Sequence, residues 1–282
     1  MKKYYALLIA VAVISFLFSY AAMRTGLPKL TGQSPRSKEA EDVLYKMRYI
    51  AHAGGAVHAA NTAGEEIFIG SNSREALMKC RDDGRRAIEL DFNFTSDGEL
   101  VCIHDWSARY ADDITDGKPL TLDNFLKCRI YGCLTSLWLG DVADFLRKND
   151  GFYVITDIKD DNVRGARVIA ESYPDLLARF IIQIYSEDEY EAVRGMGFSY
   201  IIYTLYRLDW ESKADVASVI GFAGQEGILA VAFPRELMHV PGYAAYFVKS
   251  GIPALVHTVN EREEMLILFA SGAWGVYTDT SQ

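Results

Sequence analysis

Eight short apolar runs, separated by stretches with helical spacing, limit how this 282-residue chain can fold more than any other feature. The runs fall at residues 49–55, 87–94, 152–158, 180–184, 200–204, 228–233, 254–259 and 275–278. Helical patterns between them include 73–81, 121–127, 136–148, 187–194, 211–221, 236–248 and 261–270, with Ser73 as the cap of the first. Eight strands, each followed by a helix except the last, predict an α/β protein, a (β/α)8 TIM barrel. A further run at 100–103 is left out of the count. Ser96-Asp97-Gly98 before it is turn chemistry, and a short turn can join two strands only antiparallel. The competing arrangement, an open doubly wound sheet, lacks a GxGxxG fingerprint after its first strand.

Lys2 and Lys3 precede an uncharged, mostly apolar run at 4–23, about the length that spans a bilayer. Residues 1–24 are therefore expected to form an N-terminal transmembrane helix acting as a signal anchor. A cleaved signal peptide is the alternative, because Ser19-Tyr20-Ala21 resembles a small-residue cleavage site. Residues 25–40, with glycine, proline and serine among charges, read as a tether, and 41–282 as the folded domain. Lysines ahead of the span place that domain outside the cytoplasm on a single-pass membrane protein, or secreted if the signal is cleaved. The formal charge of −9 argues against nucleic acid and against adhesion to anionic lipid. Cys80, Cys102, Cys128 and Cys133 form no CxxC pair and have no neighbouring histidine, so buried thiols are expected in place of a zinc site.

Function in such a barrel gathers at the C-terminal strand ends, and the polar residues there are specific. The first strand ends in His52. The second carries Glu89 and Asp91, two residues apart and hence on one face, and the turn brings His104 back beside them. The third ends in Asp157 and Lys159, again on one face. Later ends supply Gln183, Tyr185, Thr204, His257, Asn260 and Asp279. Glu89, Asp91 and Asp157 are hard oxygen donors suited to Mg²⁺ or Ca²⁺. Lys159 adds a positive contact for a phosphate, and the two histidines suit proton transfer near neutral pH. A plainer account exists for each group alone: an acidic pair on a strand is commonly neutralised by arginines, here Arg85 and Arg86, and a single histidine is commonly structural.

The blocks IAHAGG (50–55), NSREAL (72–77), IELDFNFTSDGELVCIHD (88–105), TDIK (156–159), HTVN (257–260) and GVYTD (275–279) come in a specific order and spacing. In these the chain resembles the glycerophosphodiester phosphodiesterase family, related to phosphatidylinositol-specific phospholipase C, from about residue 49 to residue 279. The resemblance implies a TIM barrel, a divalent metal, and hydrolysis of a phosphodiester to a phosphomonoester and an alcohol. It implies His52 and His104 as general base and acid, and Glu89, Asp91 and Asp157 as metal ligands. Lys159 would face the phosphate, with Asn72 and Gln183 also on substrate. The substrate would be a small-molecule or lipid-derived phosphodiester.

Three positions depart from the family pattern. Ala53 stands where the family has arginine, with His58 in the following loop a substitute cation. Asp157 stands for glutamate, and His257 for tryptophan. The loop from the first strand to its helix, holding His58 and Asn61, is read as a rim of the pocket. Trp106, Tyr110, Trp138 and Tyr206 are expected to line the mouth or to pack in the core. Two further functions stay open at this point: a catalytically weakened envelope barrel that binds, and a phospholipase-like enzyme on intact or lysolipids.

Overall fold

The computed structural model describes residues 36–60, 64–111, 113–114 and 116–280. The expected N-terminal membrane helix and Asn61 lie outside these residues. Among the described residues no helix is long and apolar enough to cross a membrane.

In chain order the elements are α1 (Lys38–Lys46), β1 (Tyr49–Ala51), β2 (Ala56–Ala60), β3 (Glu66–Gly70), α2 (Arg74–Asp82), β4 (Ala87–Phe94), β5 (Leu100–Cys102), α3 (Leu122–Phe125), β6 (Arg129–Ile130), β7 (Leu134–Thr135), α4 (Leu139–Lys148) and β8 (Tyr153–Ile158). They continue with α5 (Asn162–Ser172), β9 (Phe180–Ile184), α6 (Tyr190–Gly195), β10 (Tyr200–Thr204), α7 (Trp210–Ala214), α8 (Val216–Gln225), β11 (Ala230–Pro234), α9 (Tyr243–Ser250), β12 (Ala254–His257), α10 (Arg262–Ala270) and β13 (Gly275–Thr278). The eight expected strands are β1, β4, β8, β9, β10, β11, β12 and β13, with a helix between each and the next. This is the strand and helix complement of a (β/α)8 barrel.

One compact unit holds Tyr49–Ile184, Asp188–Ile201 and the residues from Tyr277 on. In it β1 pairs parallel with β4, β4 with β8, and β8 with β9. β5 folds back antiparallel on β4, with Phe92 opposite Cys102, as the Ser96-Asp97-Gly98 turn requires. All eight residues of β4 are buried, so its polar face looks into protein and not into water. Ser73 caps α2 by accepting from the Ala76 amide at 3.2 Å.

The segment read from sequence as a loop after the first strand is a hairpin. β2 pairs antiparallel with β3 from Ala56↔Gly70 to Ala60↔Glu66. Three of the five residues of β2 are alanine, which carries weak strand propensity, so the pairing and not the composition makes this strand.

The other unit holds the residues up to Arg48 with Tyr185–Glu187 and Ile202–Val276. There β10, β11, β12 and the start of β13 pair in parallel succession. Two expected helices are interrupted. The 211–221 pattern divides at Asp215, whose carboxylate accepts from the Ser218 amide at 3.2 Å and starts α8 anew. The 236–248 pattern opens as a 3-10 turn over Arg235–His239 and restarts at Tyr243, after Pro241 and a left-handed Gly242. Cys80, Cys102 and Cys128 are buried free thiols and Cys133 is a partly buried one, as expected.

Candidate active site

Strand register builds the acidic centre. Asp91 of β4 lies opposite Asp157 of β8, with Glu89 two residues earlier on the same face. One oxygen from each of these buried carboxylates lies within 4.8 Å of the other two. Like charges set opposite each other in a sheet repel, so the cluster needs compensation. Lys159 supplies part of it, its Nζ lying 2.6 Å from Asp91 Oδ1 and 2.8 Å from Asp157 Oδ2. Asn72 supplies aim. It donates from Nδ2 to Asp91 Oδ2 at 2.7 Å and accepts at Oδ1 from the Asp91 amide at 3.0 Å. Its φ of 52° is a conformation that asparagine tolerates better than most residues.

Glu89 is the least satisfied member. Its Oε2 accepts from the Ala53 amide at 2.8 Å, while its Oε1 is buried without a hydrogen-bond partner. Burial, with the Asp91 charge adding to it and His52 opposing, pushes this carboxyl up to about 8. An all-oxygen donor set with one orphaned buried oxygen fits a hard divalent cation. Asp157 completes that set in spite of its shorter arm. The neutralisation by arginine considered above is absent: Arg85 donates to the Thr278 carbonyl and Arg86 to that of Arg85.

Both histidines are oriented by aspartates. His52 Nδ1 lies 2.8 Å from Asp279 Oδ1, which joins the first and last strand ends of this unit. Burial alone would lower His52. The Asp279 hydrogen bond and the charges of Glu89, Asp279 and Asp91 together outweigh it and raise the imidazole to about 9. His104 is half-exposed, its Nδ1 lying 3.0 Å from Asp105 Oδ2. Ser107 and Arg109 hold Asp105 in turn. Asn93, the third polar residue on the Glu89 face of β4, donates to the carbonyls of Ile103 and His104, both at 2.9 Å. Asn93 on the Glu89 face and Asp105 beside His104 are legible in the sequence, but the partners they hold, and the pairing of Asp279 with His52, are not. The signals were there, in the HD pair at 104–105 and the final TD of GVYTD, but neither states a partner.

At Ala53 the backbone carries the function. The residue has φ 46°, its amide serves Glu89, and its carbonyl accepts from the amides of Ser71 and Asn72. His58 is exposed on the hairpin and stacks with Phe68, ring centroids 4.4 Å apart. Gln183 is buried with its amide engaged: Nε2 donates to the Thr156 carbonyl at 3.2 Å and Oε1 accepts from Tyr277 at 3.3 Å. Trp106, Tyr110 and Trp138 belong to a core cluster around Phe125, so core packing holds for these three. In the other unit His257 meets Tyr206 edge-on at 6.0 Å, and Arg207 stacks on Tyr185 at 3.4 Å.

Parallel strands with intervening helices, carrying a carboxylate triad able to hold a metal ion and two aspartate-held histidines at strand ends, define a protein of the TIM-barrel class with an active-site-like mouth. The model of the glycerophosphoryl diester phosphodiesterase family matches residues 54–282, and the chain belongs to that family; it is a phosphoric diester hydrolase. Solved structures share the fold. The glycerophosphodiester phosphodiesterase from Thermotoga maritima aligns with a TM-score of 0.62 at 19% identity, covering 83% of this chain and 94% of that one. One from Parabacteroides distasonis gives 0.61 at 18%, covering 83% and 93%. An Oleispira antarctica phosphodiesterase in complex with the product sn-glycerol-3-phosphate gives 0.61 at 15%, covering 84% and 96%. No curated protein matches the chain.

Proposed function

We propose that this chain hydrolyses a glycerophosphodiester to a phosphomonoester and an alcohol, with a divalent cation, Mg²⁺ or Ca²⁺, held by Glu89, Asp91 and Asp157. The observation that carries this reading is the meeting, across two paired strands, of the orphaned Glu89 oxygen with Asp91 and Asp157, beside His52, which the Asp279 hydrogen bond and the charges of Glu89, Asp279 and Asp91 raise. When bound, the cation polarises a phosphoryl oxygen and stabilises the charge that builds on it. Lys159 binds a second phosphate oxygen. One histidine takes a proton from the attacking oxygen, either water or a neighbouring hydroxyl of the substrate. The other gives a proton to the leaving alcohol, so the P–O bond breaks without releasing an alkoxide. Asp279 and Asp105 fix which ring nitrogen faces the substrate. The glycerol-3-phosphate bound by the Oleispira relative supports a glycerol-phosphate half in the substrate. The apolar run at 4–23 supports a domain anchored at the membrane on its extracytoplasmic side.

The test is turnover of glycerophosphocholine and of a chromogenic phosphodiester by the full chain, with Mg²⁺ or Ca²⁺ and with chelator. Activity should vanish with chelator and return with the ion, and His52→Ala and His104→Ala should each lose at least about 100-fold in kcat. Turnover that survives chelation, or survives in either variant, overturns the reading.

A further inference from the structure

One partly buried charge lies behind the catalytic face and has no part in the chemistry above. Arg85 follows the turn at Gly84 and enters β4. Its Nη1 donates to the carbonyl of Thr278 at 3.2 Å, the residue before Asp279. Its Nη2 is buried with no hydrogen-bond partner. Both Arg85 and Asp279 line a small crevice, with Gly54, Gly55, Lys79 and Asp83 among its walls. Lys79 and Asp83 pair with each other there. Gly55 is called for by its backbone and not by lack of space, since a side chain there would meet its neighbours at ordinary contact distances. A Cβ on it would stand 3.7 Å from Arg85 Nη1 and 3.9 Å from the Asp279 carbonyl oxygen, and its φ of 85° already favours glycine. The amide of Ala56 donates to that same Asp279 oxygen at 2.8 Å.

Burying a guanidinium is unfavourable, and here burial does lower its pKa, with the charges of Cys80, Asp83 and Asp279 opposing. The compensation it does have points at the strand end that carries Asp279. We propose that Arg85 is a positioning residue: it clamps the Thr278–Asp279 strand end from behind, so that the Asp279 carboxylate meets His52 Nδ1 in the geometry proton transfer needs. Its effect on catalysis then passes through Asp279 and not through the substrate or the metal. The inference rests on the proposed function for its kinetic consequences, but its structural core concerns the His52–Asp279 bond alone.

The experiment is a double-mutant cycle on the full chain, with glycerophosphocholine as substrate and Mg²⁺ present. Arg85→Ala should lower kcat about 10-fold or more, with KM and the Mg²⁺ requirement within about threefold of wild type. In an Asp279→Ala background the same change should cost no more than about twofold further. Where Arg85→Ala does not fold by thermal melting, the cycle is read with Arg85→Met, which keeps the apolar stem but offers Thr278 no donor. A readout free of turnover is the downfield proton NMR signal of hydrogen-bonded His52 Nδ1, which should be lost in Asp279→Ala and broadened in Arg85→Ala. An equal fold-loss in both backgrounds, or an unchanged kcat together with an unchanged proton signal, overturns the proposal. A wild-type chain with no turnover, but with the NMR signal responding to Arg85, supports the positioning role and removes only the proposed function.

Discussion

Glu89 concentrates the electrostatic problem of the site in one side chain. It is buried, its Oε1 has no protein partner, and its carboxyl is raised to about 8 by burial and the Asp91 charge. Metal-free, it takes up its charge only as pH rises through about 8. Glu89→Gln should therefore leave the metal-free melting temperature nearly unchanged at pH 4.5 and raise it at pH 9, while weakening Mg²⁺ binding at least about 10-fold. Thermal melts at the two pH values with a Mg²⁺ titration check both halves, and a lower melting temperature at pH 9 would sink the account. Asp279→Asn changes a different quantity. It keeps the shape beside His52 but removes the charge that orients and raises the imidazole, so kcat should fall by about 100-fold with KM nearly constant. Steady-state kinetics decide it, and a rise in KM alone would mean that Asp279 serves binding.

At the scale of the element, the approach of α2 to the His52 turn depends on the absence of one side chain. Gly54 has φ 82°, and a Cβ there would lie 2.9 Å from the Cβ of Ala76 on α2. Gly54→Ala combines a left-handed backbone penalty with overpacking, for a loss of about 2–4 kcal/mol of stability. Ala53, which serves Glu89 through its amide, should be displaced with it. Denaturant unfolding measures the first effect and Mg²⁺ affinity the second; unchanged stability would show that α2 simply moves aside. The same stretch marks the limit of what the sequence discloses about elements. The eight strands were legible because buried parallel strands read as apolar runs. The β2–β3 hairpin was not, because alanines and a histidine carry little strand signal and only the partner strand fixes the pairing. The break at Asp215 was missed because a capping carboxylate inside an apolar helical pattern looks like a solvated surface residue, whereas Pro241 was a visible stop that the periodicity overrode.

For the whole molecule, the carboxylate triad could be read from spacing, since period two put Glu89 with Asp91 and strand order added Asp157. The orienting partners could not, because His52 and Asp279 are separated by 227 residues and only the folded chain brings them together. That long-range pairing makes stability a function of pH and metal together. Glu89 and His52 both have pKa values raised in the folded chain, so both bind protons more tightly folded than unfolded. The Glu89 contribution is fully present below its unfolded pKa of about 4.5 and is lost as pH rises through about 8. The His52 contribution is fully present below about 6.5 and is lost as pH rises through about 9. With chelator present, the melting temperature should therefore fall steadily from pH 6 to pH 9. A divalent cation reverses the preference at the carboxylates, because it binds the ionised triad and not the protonated one. Its stabilisation should grow over the same interval, following the ligand-linkage relation between saturation and folding. Melting curves at four pH values, with chelator and with excess Mg²⁺, separate the two effects. A chelated protein whose melting temperature stays flat or rises toward pH 9, or a Mg²⁺ shift that shrinks with pH, would mean that Glu89 and His52 are not raised in the folded chain.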